Sequence, residues 1–256
     1  MSIIRVVVGG TPQATGSSSN ESSSIGIAFP NNVTAGNLII AVVGGEDAWS
    51  TGSITSSGTA TIGTWSLDAN YEGDDADGSN YVAIYSAVVL VGGSCTVTAN
   101  NIWPNLGIQE YSNADTSGTR FVSQATGQNT TGSPTTTSSI DCGSLGGVYI
   151  SCTGISGSSD DVGIVVGSGW QSIFIQQDFT NYDSWGSEDY IATSDINIAA
   201  YWWSNPNNYP WNCLMGVYKA SSSSPTFSAV IGLARSNISA INGVSVSNLQ
   251  NIDGLS

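Results

Sequence analysis

The chain contains no histidine. That absence removes the Ser-His-Asp triad, the Cys-His nucleophile pair and every His-ligated metal site. Cations are nearly absent too. Arg5, Arg120, Lys219 and Arg235 stand against nineteen acidic residues, a formal net charge of -15. Binding a phosphate backbone needs Lys and Arg to displace counterions, so nucleic acid is not expected as a partner. An anionic membrane surface is disfavoured for the same reason. Charged residues are only 9% of the chain, where about a quarter is usual. No run of about 18 apolar residues exists, so no membrane-spanning helix is expected. Met1-Ser2-Ile3-Ile4-Arg5 does not lead into the apolar stretch of a secretory signal, which points to synthesis in the cytoplasm. No eleven-residue window shows apolar residues at i, i+3, i+4 and i+7, so helix should be scarce. Cys95, Cys142, Cys152 and Cys213 have no C-x-x-C spacing. They read as buried thiols in strands, or as a disulfide formed after release, with the pairing open.

What is present is enough to fold. Hydrophobic residues make up 40%, with eight Trp and ten Tyr, so the low charge does not signal disorder. One stretch organises the rest: Gly36-Asn37-Leu38-Ile39-Ile40-Ala41-Val42-Val43, stopped by Gly44-Gly45. Its continuous branched apolar residues read as a strand buried on both faces. Gly146-Gly147-Val148-Tyr149-Ile150-Ser151-Cys152 echoes it. Thr64-Trp65-Ser66 then answers to Gly169-Trp170-Gln171. Tyr81-Val82-Ala83-Ile84-Tyr85 answers to Tyr190-Ile191-Ala192-Thr193, and Gln109-Glu110-Tyr111-Ser112 to Gly216-Val217-Tyr218-Lys219. Four echoes in one order imply a duplication.

Short apolar segments separated by turn residues predict an all-β chain. The expected architecture is a jelly-roll or lectin-like β-sandwich of two pseudo-repeated halves, followed by a short C-terminal β-repeat tail. Residues 1–24 read as an N-terminal arm and linker, although Ile3–Val8 also suits a first strand. Residues 25–220 form the sandwich, with halves at about 25–126 and 140–220; residues 221–256 form a linker and the tail. Phe121–Ala125 suits the end of half one or the start of half two. Glu46–Gly63 reads as a long polar loop, and Gly92-Gly93 as a hairpin turn.

Few residues could carry chemistry. A paired-carboxylate site would have to draw on Glu46, Glu72, Glu110 and Glu188, and no pairing is evident, so no catalytic residue and no cofactor are expected. Asp74, Asp75 and Asp77, with Asp160 and Asp161, suit either plain turns or an oxygen-ligated Ca2+. Tyr201-Trp202-Trp203-Ser204-Asn205-Pro206-Asn207-Asn208-Tyr209-Pro210-Trp211 is the most aromatic stretch. Its Tyr201, Trp202, Trp203, Tyr209 and Trp211 suit a loop pinned to the core, a subunit contact or a glycan contact.

The tail repeats with a period of eleven: Ser236-Asn237-Ile238-Ser239-Ala240-Ile241-Asn242-Gly243-Val244, then Ser247-Asn248-Leu249-Gln250-Asn251-Ile252-Asp253-Gly254-Leu255. Asn-Gly and Asp-Gly favour tight turns. Two such units cannot bury Ile238, Ile241, Val244, Leu249, Ile252 and Leu255 alone, so these should dock on a partner or another copy. Repeats of this Ile-Asn-Gly-Val kind resemble those closing structural proteins of tailed bacteriophages. The body, with Ala35-Gly36-Asn37-Leu38-Ile39-Ile40, Glu110-Tyr111-Ser112 and Val217-Tyr218-Lys219-Ala220, resembles lectin-like β-sandwich modules of phage and environmental bacterial surface proteins. The resemblance implies a non-enzymatic virion surface protein, a capsid decoration, head fibre or tail component. It would be a homo-oligomer, a trimer by analogy with fibres, with other virion proteins as partners. Two alternatives compete: a glycan-binding module recognising a host surface, and a bacterial extracellular filament or adhesin subunit.

Overall fold

The computed structural model describes residues 2–6, 14–17, 24–46, 53–75, 78–100, 105–129, 134–136, 138–156, 163–178, 183–205, 211–222, 240–241 and 244–245. Residues 1–222 form one compact unit and residues 223–256 a second. Among the described residues the chain is all strand and turn. Half one contributes β1 (Ile4–Arg5), β2 (Ala14–Ser17), β3 (Ser24–Ala28), β4 (Leu38–Glu46), β5 (Ser53–Gly58), β6 (Thr61–Ile62), β7 (Ser66–Asp75), β8 (Gly78–Val91), β9 (Cys95–Asn100) and β10 (Asn105–Ser112). Half two contributes β11 (Phe121–Asn129), β12 (Ile140–Asp141), β13 (Gly147–Ser156), β14 (Gly163–Val165), β15 (Gln171–Asp178), β16 (Asp183–Ala192), β17 (Asn197–Ile198), β18 (Trp203–Asn205) and β19 (Trp211–Lys219). The second unit holds β20 (Ala240–Ile241) and β21 (Val244–Ser245).

Two large antiparallel sheets form the sandwich. Sheet one runs β1 and β2, then β10, β4, β8 and β7, with β6 on the end of β8; sheet two runs β11, β19, β13, β16, β15. The organising strand β4 and its echo β13 lie at the centre of each. Leu38, Ile40 and Val42 point into the shared core, where they meet Val148, Ile150 and Cys152. The intervening Ile39, Ala41 and Val43 are buried on the opposite face. Period-two alternation with both faces covered is why these residues read as one unbroken apolar run.

The halves match strand for strand. Leu38 pairs with Val88 on one side and Tyr111 on the other; Val148 pairs with Ile191 and Tyr218. Ser66 pairs with Ser86 as Gln171 pairs with Asp189, and each edge strand then bulges, at Asp68 and at Ile173. Three of the four sequence echoes fall in this register. The third does not: Ile191 answers to Val88, not to the neighbourhood of Tyr81. An even-numbered slip keeps every side chain on its face, so apolar pattern alone cannot detect it.

Each half also carries its own outer layer, so the layering is deeper than two halves closing on one core. In half one, β3, β9 and β5 form a three-stranded sheet over Ile39, Ala41 and Val43. In half two the counterpart is two ribbons, β12 with β17 and β14 with β18. The expected polar loop at Glu46–Gly63 therefore contains β5 and β6. Of β5 only Ile54 is buried, which leaves no alternating signal. Gly92-Gly93 is not a hairpin. The strands it joins, β8 and β9, lie in different sheets, and the turn carries the chain from one layer to the next. There Val33 and Gly93 exchange backbone hydrogen bonds, an approach that small residues permit. Strand β11 belongs to half two, because it pairs with β19; the halves divide before Phe121. The N-terminal arm supplies edge strands β1 and β2. All four cysteines are buried and free.

One contact at the centre is unforgiving. Gly44 and Gly154 occupy equivalent positions, opposite Val82 and Trp185. The Trp185 ring lies between them: a Cβ on Gly44 would stand 2.5 Å from it and one on Gly154 2.2 Å. Gly44→Ala and Gly154→Ala should each lower stability by about 1–3 kcal/mol through overpacking, read as a lower denaturation midpoint. Unchanged midpoints in both would mean the ring is free to move.

Candidate functional site

Two polar braces cross the central core, one in each half. In the first, Arg5 from β1 reaches across to sheet two. Its Nε donates to Asp189 Oδ2 at 2.7 Å, and its Nη2 donates to the other carboxylate oxygen. Tyr111 Oη donates to the same Asp189 at 2.6 Å. Arg5 and Asp189 are both buried. The second brace uses the equivalent strands in reverse. Arg120, just before β11, donates from Nε to Ser86 Oγ at 2.8 Å. Ser86 in turn donates to Asp68, and Tyr218 Oη donates to Asp68 at 2.7 Å. Ser86 holds the ladder position that Asp189 holds in the other half. The carboxylate has moved onto the bulge at Asp68. Burial raises the Asp68 pKa, and the bonds from Ser86 and Tyr218 oppose that shift.

A serine bonded to a carboxylate, with arginine and tyrosine beside it, has the parts of a nucleophilic site. Ser86 is fully buried, however, and its twin cluster has no serine at the equivalent position. The shared geometry is that of a brace between sheets.

The outer layers have diverged. Where half one places Ile39, Ala41 and Val43, half two places Tyr149, Ser151 and Thr153. These polar groups are satisfied. Trp202 Nε1 donates to Ser151 Oγ at 2.9 Å, and Thr153 Oγ1 donates to the Asn212 carbonyl at 2.6 Å. Glu188 is buried in this layer. Its Oε2 accepts from Gly167 N at 2.9 Å, and its Oε1 has no hydrogen-bond partner among the described residues. Burial pushes its pKa up to about 8, against the pull of Gly167 N–H and Ser151. Glu110, on the outer face of sheet one, accepts from Thr34 N at 2.8 Å and Asn37 Nδ2 at 2.6 Å. Burial of the Cys95 thiol nearby, aided by Glu110, raises it to about 11. Glu110 and Glu188 lie beyond two sheets stacked about 10 Å apart, too far to flank one glycosidic bond.

The aromatic stretch divides. Trp202 and Trp211 are core residues of the outer layer of half two, as loop pinning requires. Tyr201 is 51% exposed. Trp203 pairs through its backbone with Val165, and Tyr209 lies outside the described residues. Asp74 and Asp75 are the last residues of β7, paired with Ser79 and Gly78 at the start of β8. Asp77, Asp160 and Asp161 lie outside the described residues, as do Ile238, Leu249, Ile252 and Leu255. Ile241 and Val244 pair in the β20–β21 ladder, while the expected turn at Asn242-Gly243 lies outside the described residues. Among the described residues no three acidic or thiol groups converge to hold a metal ion.

Sequence reasoning names Arg5 only as a cation and Trp170 only as part of the repeat, and it does not single out Asp68, Ser86 or Asp189. The echo of Tyr111 in Tyr218 was the available signal for both braces. Comparison with known proteins returns no matching family model, curated protein or solved structure.

Proposed function

We propose that this chain is a non-enzymatic structural protein that assembles as identical copies on a bacteriophage particle, as a capsid decoration, head fibre or tail component. The tail carries this reading. Its eleven-residue units place seven apolar residues, Ile238, Ile241, Val244, Val246, Leu249, Ile252 and Leu255, at short intervals, and β20 pairs antiparallel with β21. Burying each such side chain is worth about 1.5–3 kcal/mol, while ordering costs about 1–2 kcal/mol per residue. A tail alone therefore gains little. Laid on another copy, or wound with two others, it gains more, and closed symmetric homo-oligomers are the common outcome. The doubled, cross-braced sandwich supports the reading as a rigid body for the tail to present.

Truncation after Arg235 tests it. The truncated protein should keep its β circular dichroism and its melting transition but scatter light as a monomer, while the full chain scatters as an oligomer, a trimer on this reading. The same mass for both would overturn the assembly role of the tail.

A further inference from the structure

Half two differs from half one along one row of its outer face. Across β19, β13, β16 and the turn before β15, that row reads Val217, Tyr149, Tyr190, Trp170. The equivalent row of half one reads Glu110, Ile39, Ala87, Trp65. In half two the rings touch in sequence. Tyr149 and Tyr190 meet edge to face at 6.4 Å, and Tyr190 and Trp170 meet tilted at 5.8 Å. The inner end is fixed, because Tyr149 Oη lies 2.6 Å from the Ile196 carbonyl and 3.0 Å from that of Ile140. The outer end is open: Tyr190 and Trp170 are only partly buried.

The turn that carries Trp170 is fixed as well. Gly167 N donates to Glu188, Trp170 N donates to the Gly167 carbonyl at 3.1 Å, and Gly169 takes φ +86°. Exposed hydroxyl side chains flank the rings in the chain, Ser168 before Trp170 and Thr193 and Ser194 after Tyr190, whereas Gln171, paired with Asp189, belongs to the inner face of the sheet.

We propose that Trp170 and Tyr190 form a stacking platform for a hexopyranose ring of a neutral glycan, with these flanking groups bonding its hydroxyls. Rigid aromatic faces ringed by a few polar groups suit a ligand with one apolar face and a hydroxyl rim. Charge selects the class. The chain carries -15, and its described cations are all engaged: Arg5 with Asp189, Arg120 with Ser86, Lys219 with Asp115. An acidic polysaccharide would be repelled. The platform stands independently of the assembly role, since each copy carries all of it.

The test is calorimetric titration of the full-length protein with cello-, malto-, manno- and galacto-oligosaccharides. At least one should bind. Trp170→Ala should weaken that binding about tenfold or more, the loss of one stacking contact of roughly 1.4 kcal/mol. Ser168→Ala, at an exposed side chain of the turn that carries Trp170, should weaken it without changing the melting temperature. Trp65→Phe, at the equivalent place in half one, should leave it unchanged. No binding by any of the four overturns the proposal. So does binding that survives both Trp170→Ala and Ser168→Ala.

Discussion

Arg5→Met should destabilise the body by about 3–5 kcal/mol, the cost of leaving a buried carboxylate without its cation. Among the described residues, Asp189 keeps only the Tyr111 hydroxyl when the guanidinium is gone. A domain with a total stability of about 5–15 kcal/mol would lose a large fraction of it. Arg120→Met should cost less, because Arg120 meets a neutral hydroxyl, Ser86 Oγ, rather than a buried carboxylate. Urea denaturation of the two variants provides the comparison. An Arg5→Met midpoint within about 1 kcal/mol of the parent would show that Asp189 is neutral, or hydrated, in the folded protein. The N-terminal arm is thus part of the body's energetics: removing residues 1–5 should cost more than Arg5→Met, because it also takes away the buried Ile3 and the β1–β10 pairing.

The stability of the body should fall as pH rises from about 4.5 to about 8, and Glu188 should account for much of the fall. Its carboxyl titrates near 8 when folded and near 4.5 when solvated. Between those values the unfolded chain has released the proton that the folded chain still holds. Folding is therefore favoured fully below 4.5 and progressively less up to 8. A shift of this size corresponds to roughly 4–5 kcal/mol at about 1.36 kcal/mol per pH unit. The neighbouring thiols do not blur the effect, because burial raises both Cys152 and Cys213 and keeps them neutral over this range. Glu188→Gln preserves the shape and removes the proton, so its stability should be flatter with pH than the parent's. Parallel curves for the two proteins would place the proton elsewhere. A second readout is local. The Gly167 amide should exchange faster above pH 8 if ionised Glu188 leaves its buried position.

The central strands were legible because two-sided burial makes a run such as Leu38–Val43 apolar at every position. The duplication was legible because Trp65 and Trp170, and Tyr111 and Tyr218, recur beside those strands. The outer layer of half one was not. Ser53–Gly58 buries one side chain and shows water a row of Ser and Thr, which is also what a loop looks like. The braces were hidden for another reason. Arg5 lies 184 residues from Asp189, and the second brace moves its carboxylate from a strand position to a bulge. A pairwise repeat cannot reveal such a swap until the register is known. The aromatic stretch was read correctly as dense in rings, but alternation sends Trp202 inward and Tyr201 outward. The open pair, Trp170 and Tyr190, comes from two separate segments that only the β15–β16 ladder brings together.

The two-fold match between the halves is internal to one chain, and that has a genetic consequence. In a dimer of identical subunits every substitution lands twice, so a charge placed at the interface must tolerate its own copy. Here each codon acts once. Position 86 can be serine while position 189 is aspartate, and the central strand of one outer face can carry isoleucine, alanine and valine where the other carries tyrosine, serine and threonine. The duplicated frame leaves one face free to change while the other continues to hold the molecule together.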